Sequence, residues 1–125
     1  MSLQTPLGRV RGLGSAKEGT RHWWLQRLTA VALVPLSVWM VVVAVQLIGA
    51  DYATAHAFVA NPVATVAALL LIGALFYHAQ LGLQVVIEDY VHVEWLKLTS
   101  LIAMKFVVIF LGVAAAVAVV RISLG

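Results

Sequence analysis

The chain has 125 residues, of which 63% are hydrophobic and 10% charged, with a formal net charge of +3 and no cysteine. This balance lies far outside that of a water-soluble domain and places the chain in a bilayer. The lack of cysteine excludes disulfides, thiolate-bound zinc and any iron-sulfur cluster held by this chain alone.

The first 20 residues, MSLQTPLGRVRGLGSAKEGT, are rich in Gly and Ser and carry no apolar period. They predict an extended arm, and residues 1–22 are assigned to a cytoplasmic N-terminal segment. This basic start lacks the short apolar run of a secretory signal, so the segment is expected to be retained. The next stretch, RHWWLQR, sets Trp23 and Trp24 where amphipathic rings favour the headgroup layer.

Residues 23–125 form the membrane domain, with spans expected at about 26–50, 62–88 and 98–121, each near the ~20 apolar residues that cross a hydrocarbon core. The first runs without a charge from Leu28 to Ala50. Pro35 predicts a local kink, and Thr29 and Ser37 are expected to bond the preceding turn. The second span starts near Pro62, since proline suits a helix's first turn. The third holds one charge, Lys105.

No strand-like alternation is present, so the expected fold is an all-α, three-helix membrane bundle. Arg9, Arg11, Lys17, Arg21 and Arg27 precede the first span, whereas the loop from Asp51 to Asn61 has neither Lys nor Arg. Basic flanks stay on the cytoplasmic side, which puts the N-terminus inside and the C-terminus in the periplasm. Lys97, in the loop after the second span, is again inside, and Arg121 is the exception. The basic arm reads as a membrane-surface or partner-docking segment, with no role on nucleic acid. Three spans are too few to enclose a substrate pathway, so a partner is expected to share the interior surface.

Chemistry concentrates in the second span and its cytoplasmic end, HAQLGLQVVIEDYVH. An imidazole in mid-span is costly unless something binds it, and His78 is such a group. Gly82 shares its helix face and leaves a flat opening that a planar macrocycle fits. The alternative is a histidine bonded to a neighbouring helix, with Gly82 permitting close packing. His22, His56 and His92 fall in interfacial or loop segments, so a second axial ligand to a haem would come from another subunit. Asp89 follows His78 on the same face, about 16 Å along the axis. Asp89 and Tyr90 together can donate a hydrogen bond to a carbonyl and pass protons from water, the needs of quinone reduction. Alternatively, they form a solvated helix end with Tyr90 in the aromatic belt.

RLTAVALVPL opening the first span and HAQLGLQVVIEDYVH closing the second resemble the small membrane anchor, the D subunit, of succinate dehydrogenase (respiratory complex II). The likeness covers the chain from about Gly14 onward, and its signature is a histidine followed by Asp-Tyr at the spacing of His78, Asp89 and Tyr90. The resemblance implies that His78 is one axial ligand of a haem b shared with the companion cytochrome b556 (C) subunit. It also implies that Gly82 packs on that haem, that Tyr90 donates to a ubiquinone carbonyl, and that Asp89 delivers protons or holds Tyr90.

Arg27 matches an arginine near the haem propionates and quinone pocket, although a positive-inside flank accounts for it equally. Lys105 either snorkels or pairs with a propionate or a partner carboxylate. The implied partners are the flavoprotein, iron-sulfur and C subunits, with membrane lipid and ubiquinone. The chain is then an anchor without activity of its own, in a bacterial inner membrane. Competing expectations are the b-type cytochrome anchor of a fumarate reductase or other membrane oxidoreductase, and a haem-free structural anchor.

Overall fold

The computed structural model describes residues 5–12 and 17–125 and, of the latter, side chains from Gly19 onward. The parts of the expected arm at 1–4 and 13–16 lie outside the described residues. Within the arm the chain is not wholly extended: α1, Pro6–Val10, forms one short turn of helix. Pro6 opens it, and the Thr5 hydroxyl accepts from the Gly8 amide at 3.1 Å.

Three long helices follow: α2 (Lys17–Gln46), α4 (Pro62–Tyr90) and α5 (Glu94–Leu124), with the short α3 (Tyr52–Val59) between the first two. At 1.5 Å per residue each long helix runs about 42 Å or more, against a hydrocarbon core of roughly 30 Å. Length and composition suit all three to crossing a membrane.

The structure differs from the sequence expectation at several ends. α2 already begins at Lys17, so RHWWLQR is helical and belongs to the first span. It runs unbroken through Pro35 and stops at Gln46, ahead of Gly49, whose φ of +78° a side chain would resist. Lys97 lies in the first turns of α5 and not in a loop, because the α4–α5 turn consists only of residues 91–93.

The segment expected as a loop before Asn61 contains α3, capped by Asp51, whose carboxylate accepts from the Thr54 amide at 2.9 Å. Asn61 caps α4 in the same manner through the Val63 amide, with Pro62 next. The buried Thr65 hydroxyl sits 3.0 Å from both the Val59 and Asn61 carbonyls, tying the end of α3 to the start of α4.

The long helices do not close into a bundle. α4 packs against both α2 and α5, but α2 and α5 make no close backbone contact with each other among the described residues. The arrangement is an open layer with α4 in the middle. Little of it is buried: Val43, Ala64, Thr65, Leu81 and Val108 alone among the described side chains. In a bilayer lipid or a partner covers the rest, and apolar side chains facing outward are no defect there. The α4–α5 contact is close at Gly112, where a Cβ would come within 3.4 Å of the Phe76 ring.

Candidate functional site

His78 lies about 18 Å from the Tyr90 end of α4 at 1.5 Å per residue, beneath the interface but short of mid-helix. It is half-buried at the seam with α2, where its Nδ1 stands 2.9 Å from the Thr29 hydroxyl. That hydroxyl also lies 2.8 Å from the Leu25 carbonyl and 3.1 Å from the Gln26 carbonyl, the back-bond expected of a helical threonine. Ser37 makes no such bond among the described residues.

A hydroxyl has one proton. Where that proton goes to the Leu25 carbonyl, the Thr29 oxygen accepts from Nδ1–H and Nε2 keeps its lone pair; in the other tautomer the hydroxyl donates to Nδ1. A metal-binding imidazole uses the first arrangement, one nitrogen held by a hydrogen bond and the other free.

One turn nearer the interface, Gly82 leaves room that the protein itself does not occupy. A Cβ there would meet only the Gln26 amide, at 3.9 Å, an ordinary contact. Close packing of α2 on α4 therefore does not require this glycine, in contrast to Gly112.

The space beyond Gly82 belongs to a cleft of about 490 Å³ whose other walls are His22, Trp23, Gln26 and Arg27 of α2 and Val85 of α4. Arg27 is exposed, and its guanidinium sits over the Trp23 ring at 5.4 Å, one turn away on the same helix. Trp23 in turn meets Trp24 edge-on at 5.2 Å. The cleft thus combines an oriented cation, a flat glycine wall and aromatic surface, all suited to a planar group with acidic substituents.

Two polar atoms in this region, His22 Nε2 and Gln26 Oε1, are buried without a hydrogen-bond partner among the described residues. Buried polar groups are rarely left so, and a group bound in the cleft would satisfy them. Sequence reasoning set His22 aside as interfacial and did not single out Gln26. Their signal was present in the spacing: His22, Gln26 and Thr29 recur at i, i+4 and i+7, a polar stripe along one face of α2.

Asp89 and Tyr90 end α4, both exposed, with Tyr90 at 79%. Neither makes a side-chain hydrogen bond among the described residues. Taking about 100° per residue, Asp89 lies some 20° from the direction of His78 and Tyr90 some 120° round, on the same side as Gly82. The structure joins His78 to Thr29 and, one turn nearer the end of α4, brings Gly82 and Arg27 to a cleft that neither His78 nor Thr29 lines; Asp89 and Tyr90 lie beyond it at the end of α4. No group of three or more His, Asp or Glu side chains converges on a metal position among the described residues.

The family model described as "Succinate dehydrogenase/Fumarate reductase transmembrane subunit" matches residues 1–120. The succinate dehydrogenase hydrophobic membrane anchor subunit of Rickettsia bellii is 38% identical over 111 residues, 89% of each chain. That of Rickettsia conorii is 35% identical over 111 residues, 88% of each chain. The subunit of the same name from Paracoccus denitrificans is 34% identical over 90 residues, 72% of this chain and 70% of its own. With likeness of this extent carried on three membrane-length helices, the chain belongs to the succinate dehydrogenase/fumarate reductase transmembrane subunit family, as a membrane anchor of the succinate dehydrogenase type.

Proposed function

We propose that this anchor shares a haem b with a companion anchor subunit and forms one wall of a ubiquinone-reduction site. The observation that carries the haem reading is the Thr29–His78 contact at 2.9 Å, which supports an Nδ1–H tautomer with Nε2 as the ligating atom. Gly82 would lie against the macrocycle, and Arg27, steadied on Trp23, would neutralise a propionate or the quinone pocket. When bound, the haem supplies a one-electron store between the partner's clusters and the quinone.

At the edge of the site the Tyr90 hydroxyl donates to a quinone carbonyl, polarising it toward the negative charge it acquires on reduction. The Asp89 carboxylate relays protons from water or holds the phenol in place. Succinate oxidation itself falls to the flavoprotein and iron-sulfur subunits, which dock on the cytoplasmic face, so this chain has no turnover alone. The excess of Arg and Lys beside α2 favours a cytoplasmic N-terminus and periplasmic C-terminus in a bacterial inner membrane.

The test is co-expression with the other three subunits. The dithionite-reduced complex should show a b-type alpha band, and H78A should lose or shift it; a complex without that band would leave only the structural anchor. Y90F should lower succinate:ubiquinone turnover by about a hundredfold with assembly and spectrum intact, the scale set by loss of one donor to a developing oxyanion. Unchanged turnover removes Tyr90 from the site. The family description also covers fumarate reductase. Comparing rates with a low-potential quinol and with ubiquinone decides between the two directions.

A further inference from the structure

A second cleft, also about 490 Å³, opens on the other side of the α2–α4 seam, where α4 lies between the two outer helices. Arg21 and Leu25 of α2, Gln84 and Glu88 of α4 and Lys105 of α5 line it. At about 100° per residue, Tyr77, Gln84 and Glu88 cluster some 100° from the direction of His78, opposite in sense to Gly82. The cleft shares Gly19, His22 and Val85 with the first, but its charged residues, Arg21, Glu88 and Lys105, take no part in the haem and quinone reading.

Tyr77, Gln80, Gln84 and Glu88 form a polar file along a membrane helix, spaced i, i+3, i+7 and i+11. Polar groups at that depth need partners. Gln84 Nε2 donates to Glu88 Oε1 at 2.8 Å, which engages one carboxylate oxygen, and neither Arg21 nor Lys105 makes an ion pair among the described residues. Arg21 and Lys105 against Glu88 leave the cleft one positive charge in excess, and so suited to a monoanion.

The cleft does not stop at the polar groups. Tyr77 and Gln80 also line an apolar groove of about 330 Å³ between α4 and α5, which passes Gly73 and Gly112 to Leu69 and Ala116. From Gln80 to Leu69 it extends about 16 Å at 1.5 Å per residue. A charged head region opening near the α4–α5 turn and a narrow apolar tail region below it match an amphiphile standing in one leaflet.

We propose that this composite site holds one anionic glycerophospholipid, its phosphodiester between Arg21 and Lys105 and one acyl chain in the α4–α5 groove. Lys105 reaches up from within the span, as a lysine near an interface does, and the phosphate gives it a counter-ion there. A quinone also has a head and a tail, but its neutral head does not compensate the excess charge.

The experiment uses the four-subunit complex in detergent, washed free of loose lipid and examined by native mass spectrometry and lipid extraction. The wild type should retain one phosphatidylglycerol per protomer that the R21Q/K105Q pair loses, while K105R keeps it. Gly73→Leu supplies an independent arm. A Cβ at Gly73 meets no protein atom within 4 Å, so the larger side chain fills the groove and should displace the same lipid from an assembled complex. Re-adding phosphatidylglycerol, and not phosphatidylcholine or ubiquinone, should raise the thermal midpoint of the wild type and not of G73L. An equal lipid complement in wild type, R21Q/K105Q and G73L overturns the proposal, as does equal rescue by phosphatidylcholine or ubiquinone. The haem alpha band should not move in either variant, so this outcome is independent of the haem and quinone assignments.

Discussion

Replacing Thr29 by valine is the sharpest probe of the α2–α4 seam, because it removes one oxygen while keeping the shape and branching of the side chain. In the structure that oxygen lies 2.9 Å from His78 Nδ1 and 2.8 Å from the Leu25 carbonyl, so a single atom holds the imidazole to α2. A hydrogen bond between membrane helices is worth on average about 0.6 kcal/mol, which alone would weaken haem retention only about threefold. If the bond also fixes the ligating tautomer, the loss rises to about 10- to 100-fold, the range for partners of metal-bound histidines.

The assay is haem titration into the co-expressed, haem-depleted complex, followed by the reduced alpha band, with subunit assembly checked by native gel. T29V should bind haem at least about tenfold more weakly, and T29S, which keeps the hydroxyl, should restore it. Equal affinity in T29V and wild type would refute the reasoning that Thr29 prepares His78.

Two further outcomes follow from the glycines and from the cap of α3. G82V should lower haem content while leaving the anchor folded, since its Cβ meets only the Gln26 amide at 3.9 Å, whereas G112V should weaken the α4–α5 pairing, since the Phe76 ring stands 3.4 Å away. Reversed phenotypes, read by haem content and thermal midpoint, would contradict the assignment of Gly82 to a ligand surface. At Asp51, hydrogen bonds from Thr54, chiefly its side chain and then its amide, hold the carboxyl below its ordinary 3.8.

The unfolded chain then binds the proton more readily, so the cap acts fully above that ordinary value and is lost as pH falls through the lower folded one. Hydrogen exchange at the Thr54 amide, corrected for its intrinsic rate, should show this loss in the wild type. D51N, which caps without titrating, should show none; matching profiles for the two proteins would rule the carboxylate out.

The membrane-length helices were legible because apolar runs of this length have few other uses, and Pro62 marked the start of α4 through its fit to a first turn. The ends were harder to read. Hydrophobicity reports where a helix enters lipid, not where it stops, so the polar first turns of α2 and the whole of α3 were read as arm and loop. Thr29 was expected to bond its own helix, and it does, but its second partner, His78, lies 49 positions away, a distance no local pattern encodes. Gln26 was legible in its i, i+4, i+7 spacing with His22 and Thr29, but that pattern alone did not say that α4 brings Gly82 alongside. The open order of the helices, with α4 between the other two, was likewise invisible to periodicity, since an apolar helix gives no sign of which neighbour it faces.

The scarcity of enclosed side chains has a consequence for the life of the polypeptide before assembly. With so little interior of its own, a newly inserted copy owes its tertiary form to whatever soon covers it. Until then His22 Nε2 and Gln26 Oε1 stay buried with no hydrogen-bond partner among the described residues, a cost that assembly can remove. Abundance of this subunit should therefore track the supply of its companions more closely than its own rate of synthesis.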